Sequence, residues 1–372
     1  MSPAANAAAV PHQHPPTRAG APWAFLLAIA VVAVFEIFLH TRPRESLIPY
    51  TTDLGQYQAV REFIETRGPA EVALVGSSQM REGVVMPRLI EAVSKQAGRP
   101  VTVANYATRG ARVDGFEAVI DEVLSRPTKP KVIVVGMGVR DLRAQGPDLP
   151  RIATFFGLGD WWREYRRAGW RATDVLPQAV RNELGRVVFT LRFRETISTR
   201  IKDALGRSLG LQELQYTPEP NPITGGATLQ HEGSRGANSL ATTKQAMRRL
   251  LARAKENYNW SLPAEPTPVM RDRLRLMVTK LDAFCAGGGR VIVIEMPVAA
   301  AWRKQLEDAG FHAPFDAAVR AAAEGKAIDY FSAGRIPLTM SDAEFSDLQH
   351  HNRAGAEKFS DWLAGVVGAA MK

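Results

Sequence analysis

Short apolar runs alternate with amphipathic stretches along most of the chain beyond residue 50. The runs have the length and the Val/Ile content of buried strands, and the stretches between them have apolar residues at helical spacing. The predicted elements, in chain order, are a helix at about 53–67, a strand at 72–75, a helix at about 86–96, the strand VTVANY, a helix at about 113–124, the strand KVIVVGMG, a helix at 271–285, the strand RVIVIEMP, a helix near 313–323, the strand AIDYF and a helix from about 352. This alternation predicts an α/β fold, a three-layer sandwich with a mostly parallel sheet.

The longest apolar run lies near the N-terminus. Residues 23–39, WAFLLAIAVVAVFEIFL, contain a single acid, Glu36, and are about long enough to cross a bilayer as a helix. We expect an uncleaved transmembrane anchor, and the alternative is a cleaved secretory signal with its cleavage site near 30–33. Arginines on both sides of the run leave its orientation open.

The remaining segments complete the predicted domain organisation. Residues 1–22 are rich in Ala and Pro, which predicts a disordered tail, and residues 40–70 form a tether and a first helix. Residues 71–372 form one domain, into which a region at about 143–268 is inserted. Within that region the periodicity lapses, and TPEPNPITGGATLQHEGSRGANS reads as a loop.

The inserted region is rich in tryptophan and arginine. It contains DWWREYRRAGW, and residues 161–207 hold eleven Lys or Arg against five acids. Aromatic residues beside arginines suit a carbohydrate, an anionic polymer or the headgroup zone of a bilayer. The alternative is a lid helix whose tryptophans pack on the main domain.

Composition narrows the class of protein. The chain has 372 residues, 45% of them apolar, as in a globular protein, and its single cysteine, Cys285, allows no intramolecular disulfide. The formal charge of +9 favours an anionic partner. No nucleic-acid-binding motif accompanies that charge, so a membrane or polymer is preferred and a nucleic acid is not expected.

Polar stretches follow several predicted strands, where reactive groups gather in parallel sheets. GSS follows the first strand, NYATRG (105–110) the second, GVRDL (138–142) the third, and SDLQHHNRAG (346–355) precedes the last helix. A serine hydroxyl becomes a nucleophile when an imidazole takes its proton and a carboxylate orients that imidazole. His350 and Asp347 have the spacing to supply both groups, and glycine N–H groups near the serine suit an oxyanion.

These blocks together resemble the SGNH (GDSL-like) hydrolases and acyltransferases, over about 71–142 and 288–372. The resemblance implies a flavodoxin-like sheet, Ser78 as nucleophile, Asp347 and His350 as its partners, and an oxyanion hole formed by the Ser78 and Gly110 N–H groups. It also implies an enzyme that needs no cofactor.

Two departures from the family pattern bear on activity. The first block reads Gly-Ser-Ser rather than Gly-Asp-Ser, which leaves Ser77 as a rival nucleophile. In the third block Arg140 stands where the oxyanion-hole Asn is expected, next to Asp141. Arg140 either donates to the oxyanion or forms a structural ion pair with Asp141.

Each candidate also has a purely structural interpretation. GSS can be a turn or helix cap, Asp347 can cap the last helix, and Asn105 is expected to form a turn. His351 is expected at the surface, with a place in the pocket as the alternative. No His/Cys cluster has metal-ligand spacing, and GGGR at 287–290 precedes a strand rather than opening a helix, so neither a metal nor a nucleotide is implied.

Three functions are compatible with these features. The first is a serine O-acyltransferase, anchored in the bacterial inner membrane with its main domain in the periplasm or outside the cell, that acylates a cell-envelope or secreted polysaccharide. The resemblance implies that such an enzyme works beside a multispanning membrane acyltransferase. The others are an esterase that deacylates such a polymer and a non-catalytic scaffold of an envelope assembly.

Overall fold

A computed structural model describes residues 22–41, 53–144, 146, 148–168, 172–192, 197–198, 201–202, 205, 208, 244–257 and 260–372. The chain divides into two compact units, Met1–Arg42 and Pro43–Lys372. Residues 1–21, for which the sequence predicts a tail, and most of the predicted tether and loop lie outside the described residues.

The first unit contains one apolar helix, α1 (Pro22–Thr41). Its residues Trp23–Thr41 have a mean hydropathy of 2.3, and only 6% of the most apolar window is buried within the structure. The helix is therefore long and apolar enough to cross a membrane. It begins and ends within two residues of the predicted run at 23–39.

The second unit is built on a parallel β-sheet. The described strands are β1 (Val72–Gly76), β2 (Val103–Asn105), β3 (Val132–Met137), β4 (Arg290–Glu295) and β5 (Ile328–Phe331). They pair in the order β2-β1-β3-β4-β5, and every pair is parallel. Because β1 and β3 are buried throughout, their apolar runs are unbroken rather than alternating.

Helices connect and flank the strands. The described helices of the second unit are α2 (Asp53–Arg67), α3 (Ser78–Gly83), α4 (Met86–Ala97), α5 (Val113–Ser125), α6 (Leu149–Ile152), α7 (Leu158–Ala168), α8 (Ala172–Val187), α9 (Phe189–Arg192), α10 (Lys244–Asn257), α11 (Pro268–Ala286), α12 (Ala300–Asp308), α13 (His312–Ala323) and α14 (Arg353–Ala370), with 3₁₀ helices at Val139–Leu142, Ala153–Phe155 and Asp342–Glu344.

The main apolar core joins the sheet to α4 and α14. Alternate residues of β1, β3 and β4 point into it, because successive side chains of a strand face opposite ways. Phe359 and Leu363 of α14 and Leu89 of α4 fill the space above them and are fully buried. Outside this core, α5 packs against α11, and both helices contact the sheet. The C-terminal helix is thus an integral part of the core.

The inserted region contains helices that the sequence pattern did not place. Within it Trp161 is 4% exposed and packs edge-on against Phe156, a residue of the same region. Trp162, in contrast, is 59% exposed and stacks on Tyr165. The two adjacent tryptophans therefore have different surroundings.

Candidate active site

Strand β1 ends at Gly76, two residues before the candidate nucleophile, Ser78. A Cβ on Gly76 would lie 2.8 Å from the carbonyl oxygen of Gly136 and 2.7 Å from Cβ of Met80, so only glycine fits there. Ser77, extended at φ −91° and ψ −167°, is the N-cap residue, and α3 begins at Ser78. The tight end of β1 therefore sets Ser78 in the first turn of a helix at the carboxyl edge of the sheet.

Ser78, His350 and Asp347 form a chain of hydrogen bonds. Nε2 of His350 lies 2.9 Å from Oγ of Ser78, and Nδ1 of His350 lies 2.8 Å from Oδ2 of Asp347. A carboxylate only accepts hydrogen bonds, so Nδ1 carries the proton and Nε2 is left to accept the Ser78 hydroxyl proton. The structure thus brings together the three side chains that the sequence singled out, and the serine in contact with the imidazole is Ser78 rather than Ser77.

The Asp347 carboxylate is held ionised. Burial raises the pKa of Asp347, but the hydrogen bond and charge of His350, together with the backbone N–H groups of Gln349 and His350, outweigh it and lower the pKa to about 2. Both N–H groups donate to Oδ1 at 2.8 Å. An ionised Asp347 can hold the imidazole in one tautomer and stabilise its protonated form.

Asp347 does not cap the last helix. That position belongs to Asn352, whose side chain accepts from the Gly355 N–H at 3.1 Å and donates to the Ala343 carbonyl oxygen. The described hydrogen bonds of the Asp347 carboxylate all come from Gln349 and His350. They therefore lie within the segment 346–351 that carries His350, called the histidine loop below.

His351 is buried, which corrects its expected place at the surface. Residues Phe345 and His351 form an isolated antiparallel bridge, so the backbone is extended there and neighbouring side chains point in opposite directions. His350 reaches Ser78, while the ring of His351 lies between Phe345 and Phe359, at 5.1 Å and 5.4 Å between ring centroids. Burial, aided by the charge of His350, lowers the pKa of His351 to about 4, although the Gly83 backbone opposes this shift. His351 is thus a neutral core residue behind the site.

Gln79 is a site residue that no sequence pattern singled out. It follows Ser78, is 6% exposed, and its Nε2 donates to the Gln349 carbonyl oxygen at 3.3 Å. A Cβ on Gly138 would lie only 2.5 Å from Oε1 of Gln79, so the amide occupies the space that a side chain would need there. The Gln79 amide therefore fills the space between the end of β3 and the histidine loop.

Gly110 has a backbone conformation that explains why glycine stands at this position. Its φ of 67° lies in the left-handed region that favours glycine. The two residues before it are held by their backbone, because the Thr108 N–H donates to the Gly76 carbonyl oxygen at 3.1 Å and the Arg109 N–H donates to Oε1 of Gln56 at 2.8 Å. The loop is thereby tied to the end of β1, one residue before the serine turn.

Arg140 and Asp141 lie in the 3₁₀ helix that follows β3, and they do not form the expected ion pair. The Asp141 carboxylate instead accepts the Gly138 N–H at 2.8 Å. Burial raises the pKa of Asp141 to about 7, partly offset by that hydrogen bond and by the charge of Arg140. Arg140 is half-buried, and no described hydrogen bond joins it to Ser78 or His350. Asp141 thus shapes the turn, and Arg140 has no described contact with the triad.

Asn105 forms the expected turn, because its side-chain oxygen accepts the N–H two residues further on, and it also braces α3. Its Nδ2 donates to the Met80 carbonyl oxygen at 3.3 Å, and its Oδ1 accepts the Ala107 N–H at 3.1 Å. The residue is 2% exposed. It therefore links the end of β2 to α3.

Among the residues that the structure describes, no group of three or more His, Cys, Asp or Glu is arranged to hold a metal ion. No known protein-family model and no curated protein sequence matches this chain.

Proposed function

We propose that this protein is a membrane-tethered, exported serine O-acyltransferase of the SGNH type that transfers an acyl group, most simply acetyl, onto a cell-envelope or secreted polysaccharide. The observation that carries the proposal is the continuous chain of hydrogen bonds from Ser78 through His350 to Asp347. This geometry suits a nucleophile, a general base and the carboxylate that orients the base.

The reaction follows from the roles of these groups. Oγ of Ser78 attacks the carbonyl carbon of an acyl ester while Nε2 of His350 takes the hydroxyl proton. When the tetrahedral intermediate collapses, the bond to the donor oxygen breaks and His350 returns the proton to that leaving oxygen. A hydroxyl of the acceptor then gives its proton to His350 and attacks acyl-Ser78, which releases the acylated product and restores the serine.

The oxyanion of each tetrahedral intermediate needs fixed donors. The Ser78 N–H lies in the first turn of α3, where N–H groups have no partner within the helix. The Gly110 N–H, on the loop tied to the end of β1, is the second proposed donor. We assign Arg140 a secondary place, because its long side chain is held by no described hydrogen bond, whereas a backbone N–H is fixed by its loop.

The fold and the anchor support the finer parts of the proposal. The strand order β2-β1-β3-β4-β5 is that of flavodoxin-like sheets, as in the SGNH three-layer sandwich. A helix that can cross a membrane supports a single-pass membrane protein. The bacterial inner membrane, with the second unit in the periplasm, is the placement we propose from the resemblance to exported SGNH proteins. A membrane-bound acyl donor, such as a multispanning acyltransferase, would then be within reach.

Acylation of Ser78 tests the chemistry. The full-length protein in detergent is incubated with p-nitrophenyl acetate, and the mass of the peptide containing Ser77 and Ser78 is measured. We expect acetyl on Ser78 in the wild type and in Ser77→Ala, and none in Ser78→Ala. Because the Ser77 side chain makes no capping hydrogen bond, Ser77→Ala is a matched control. A folded wild type that never acylates would favour the scaffold function, for which Arg140 is the main argument.

The fate of the acyl group separates transfer from hydrolysis. Adding an oligosaccharide acceptor to the acetylated protein should give acetylated sugar, detected by mass. Release of free acetate at the same rate with and without acceptor would indicate an esterase instead, since water and a sugar hydroxyl attack the same acyl-enzyme.

A further inference from the structure

Helix α8 presents its large apolar side chains to the outside of the described structure. Leu176 is 62% exposed, Val180 49%, Leu184 49% and Val187 73%. Their spacing of four, four and three residues places them along one face of the helix. Four apolar side chains in a row form the kind of contiguous exposed patch that marks an interaction surface.

The opposite face of α8 is the one that packs on the protein. Nδ2 of Asn182 donates to the Phe156 carbonyl oxygen at 2.8 Å, and Gly185 is buried. At 100° per residue, these two residues lie about 150° around the helix from the centre of the exposed row. The helix is therefore docked by small and polar residues, with its apolar face outward, which is the reverse of an ordinary surface helix.

The segment that joins α1 to the second unit is short. Helix α1 ends at Thr41, and α2 begins at Asp53. A fully extended chain between those two residues spans about 40 Å at most. If α1 spans a membrane, the second unit can never move far from its surface.

The charge around α8 complements an anionic lipid surface. Residues 161–207 carry eleven Lys or Arg against five acids. Arg166 of α7 and Arg181 of α8 are exposed. Helix α7, which contacts α8, also exposes the stacked pair Trp162 and Tyr165, residue types that favour the membrane–water interface.

We infer that α8 docks on the surface of an anionic lipid bilayer through the face formed by Leu176, Val180, Leu184 and Val187. An apolar face, basic flanks and neighbouring aromatic rings are the features of helices that lie in the interface plane. The inference rests on membrane anchorage by α1 and is independent of the chemistry at Ser78. Docking would hold the second unit at the bilayer rather than at the end of its tether.

The test uses the full-length chain, inserted through α1 into vesicles of mixed zwitterionic and anionic lipid. Cys285→Ser removes the only native thiol. Val180→Cys then carries an environment-sensitive fluorophore, and Glu91→Cys, at an exposed position of α4, is the matched control. Flotation with the vesicles confirms insertion of α1, and circular dichroism confirms folding of each variant.

Two quenchers read the environment of the label. We expect nitroxide lipids to quench the label at 180 severalfold more strongly than the label at 91, and aqueous iodide to do the reverse. Adding Leu184→Glu to the Val180→Cys protein should reduce the lipid quenching, as should replacing the anionic lipid.

Two results would overturn the inference. Equal iodide quenching at 180 and 91 would show that the face stays in water. Protection from iodide without quenching by nitroxide lipids would show that protein, either a second copy or another subunit, covers the face instead.

Discussion

Gln79 connects the helix that begins at Ser78 to the loop that carries His350, by donating from Nε2 to the carbonyl oxygen of Gln349 at 3.3 Å. Its side chain is buried against Gly138 at the end of the third strand. The distance between the hydroxyl and the imidazole thus depends on an amide that takes no part in proton transfer.

Replacing Gln79 by Ala should slow acylation of Ser78 by on the order of 10- to 100-fold, because small displacements of reacting groups cost that much. The rate of p-nitrophenol release in the first turnover measures this step. Gln79→Glu should not restore the rate, since a carboxylate cannot donate to the Gln349 carbonyl oxygen. An unchanged rate in both variants would limit Gln79 to packing.

Asp347→Asn should lower kcat by on the order of 10⁴-fold while the protein stays folded. The amide can donate to Nδ1 of His350, which would move the imidazole proton to Nε2 and remove the acceptor for the Ser78 hydroxyl. Because the pKa of Asp347 is about 2, the wild-type activity should not fall with protonation of this carboxyl until the pH is far below neutral. Comparable activity of Asp347→Asn and wild type would contradict the assigned role.

Gly110→Ala should reduce both stability and acylation, whereas Gly98→Ala should reduce stability alone. Both glycines have a left-handed backbone, with φ of 67° and 65°, so each alanine costs about 1 kcal/mol of unfolding free energy. Displacing the Gly110 N–H should add a loss of on the order of 10²-fold in the acylation rate. Thermal unfolding and single-turnover kinetics on the two variants separate the effects, and equal kinetics would remove Gly110 from the oxyanion hole.

Stability should fall as the pH drops from about 6.5 to about 4, through His351. Its pKa is lowered to about 4 in the folded protein, so the unfolded chain binds the proton more readily throughout this range. The contribution of neutral His351 to the free energy of unfolding is complete above the pKa of the unfolded chain. It is lost progressively below that pKa, by about 3 kcal/mol at most.

His351→Met, which fills a similar volume without a titratable group, should flatten this part of the pH profile. The measurement is denaturant unfolding of both proteins at several pH values. Parallel profiles would assign the acid sensitivity to another group.

The sequence predicted the strands and the flanking helices well, because each strand is an uninterrupted apolar run bounded by polar or glycine residues. β3 and β4 coincide with KVIVVGMG and RVIVIEMP to within a few residues. The helices α3, α6 to α10 and α12 were not placed, and α8 shows one reason. Its apolar residues face outward, so burial does not explain their periodicity.

The candidate site was predictable only in part. The carboxyl-edge rule for parallel sheets pointed to the serine turn and the histidine loop, and the structure places those side chains in contact. Gln79 and Asn105 act through backbone groups of distant segments, which no local pattern records. His351 was misassigned because its direction is set by the bridge to Phe345, a tertiary feature. The catalytic role of the triad stays a prediction until acylation is measured.

The bond between Ser78 and His350 closes a loop of 272 residues. A polypeptide that is still being synthesised or exported therefore carries the hydroxyl long before it carries the base. His350 lies just before α14, which packs on α4, so the segment that supplies the base is the one that completes the core beside α4. Because α14 covers the main apolar core, a truncation that removes residues 346–370 should take away the base and unfold the domain together.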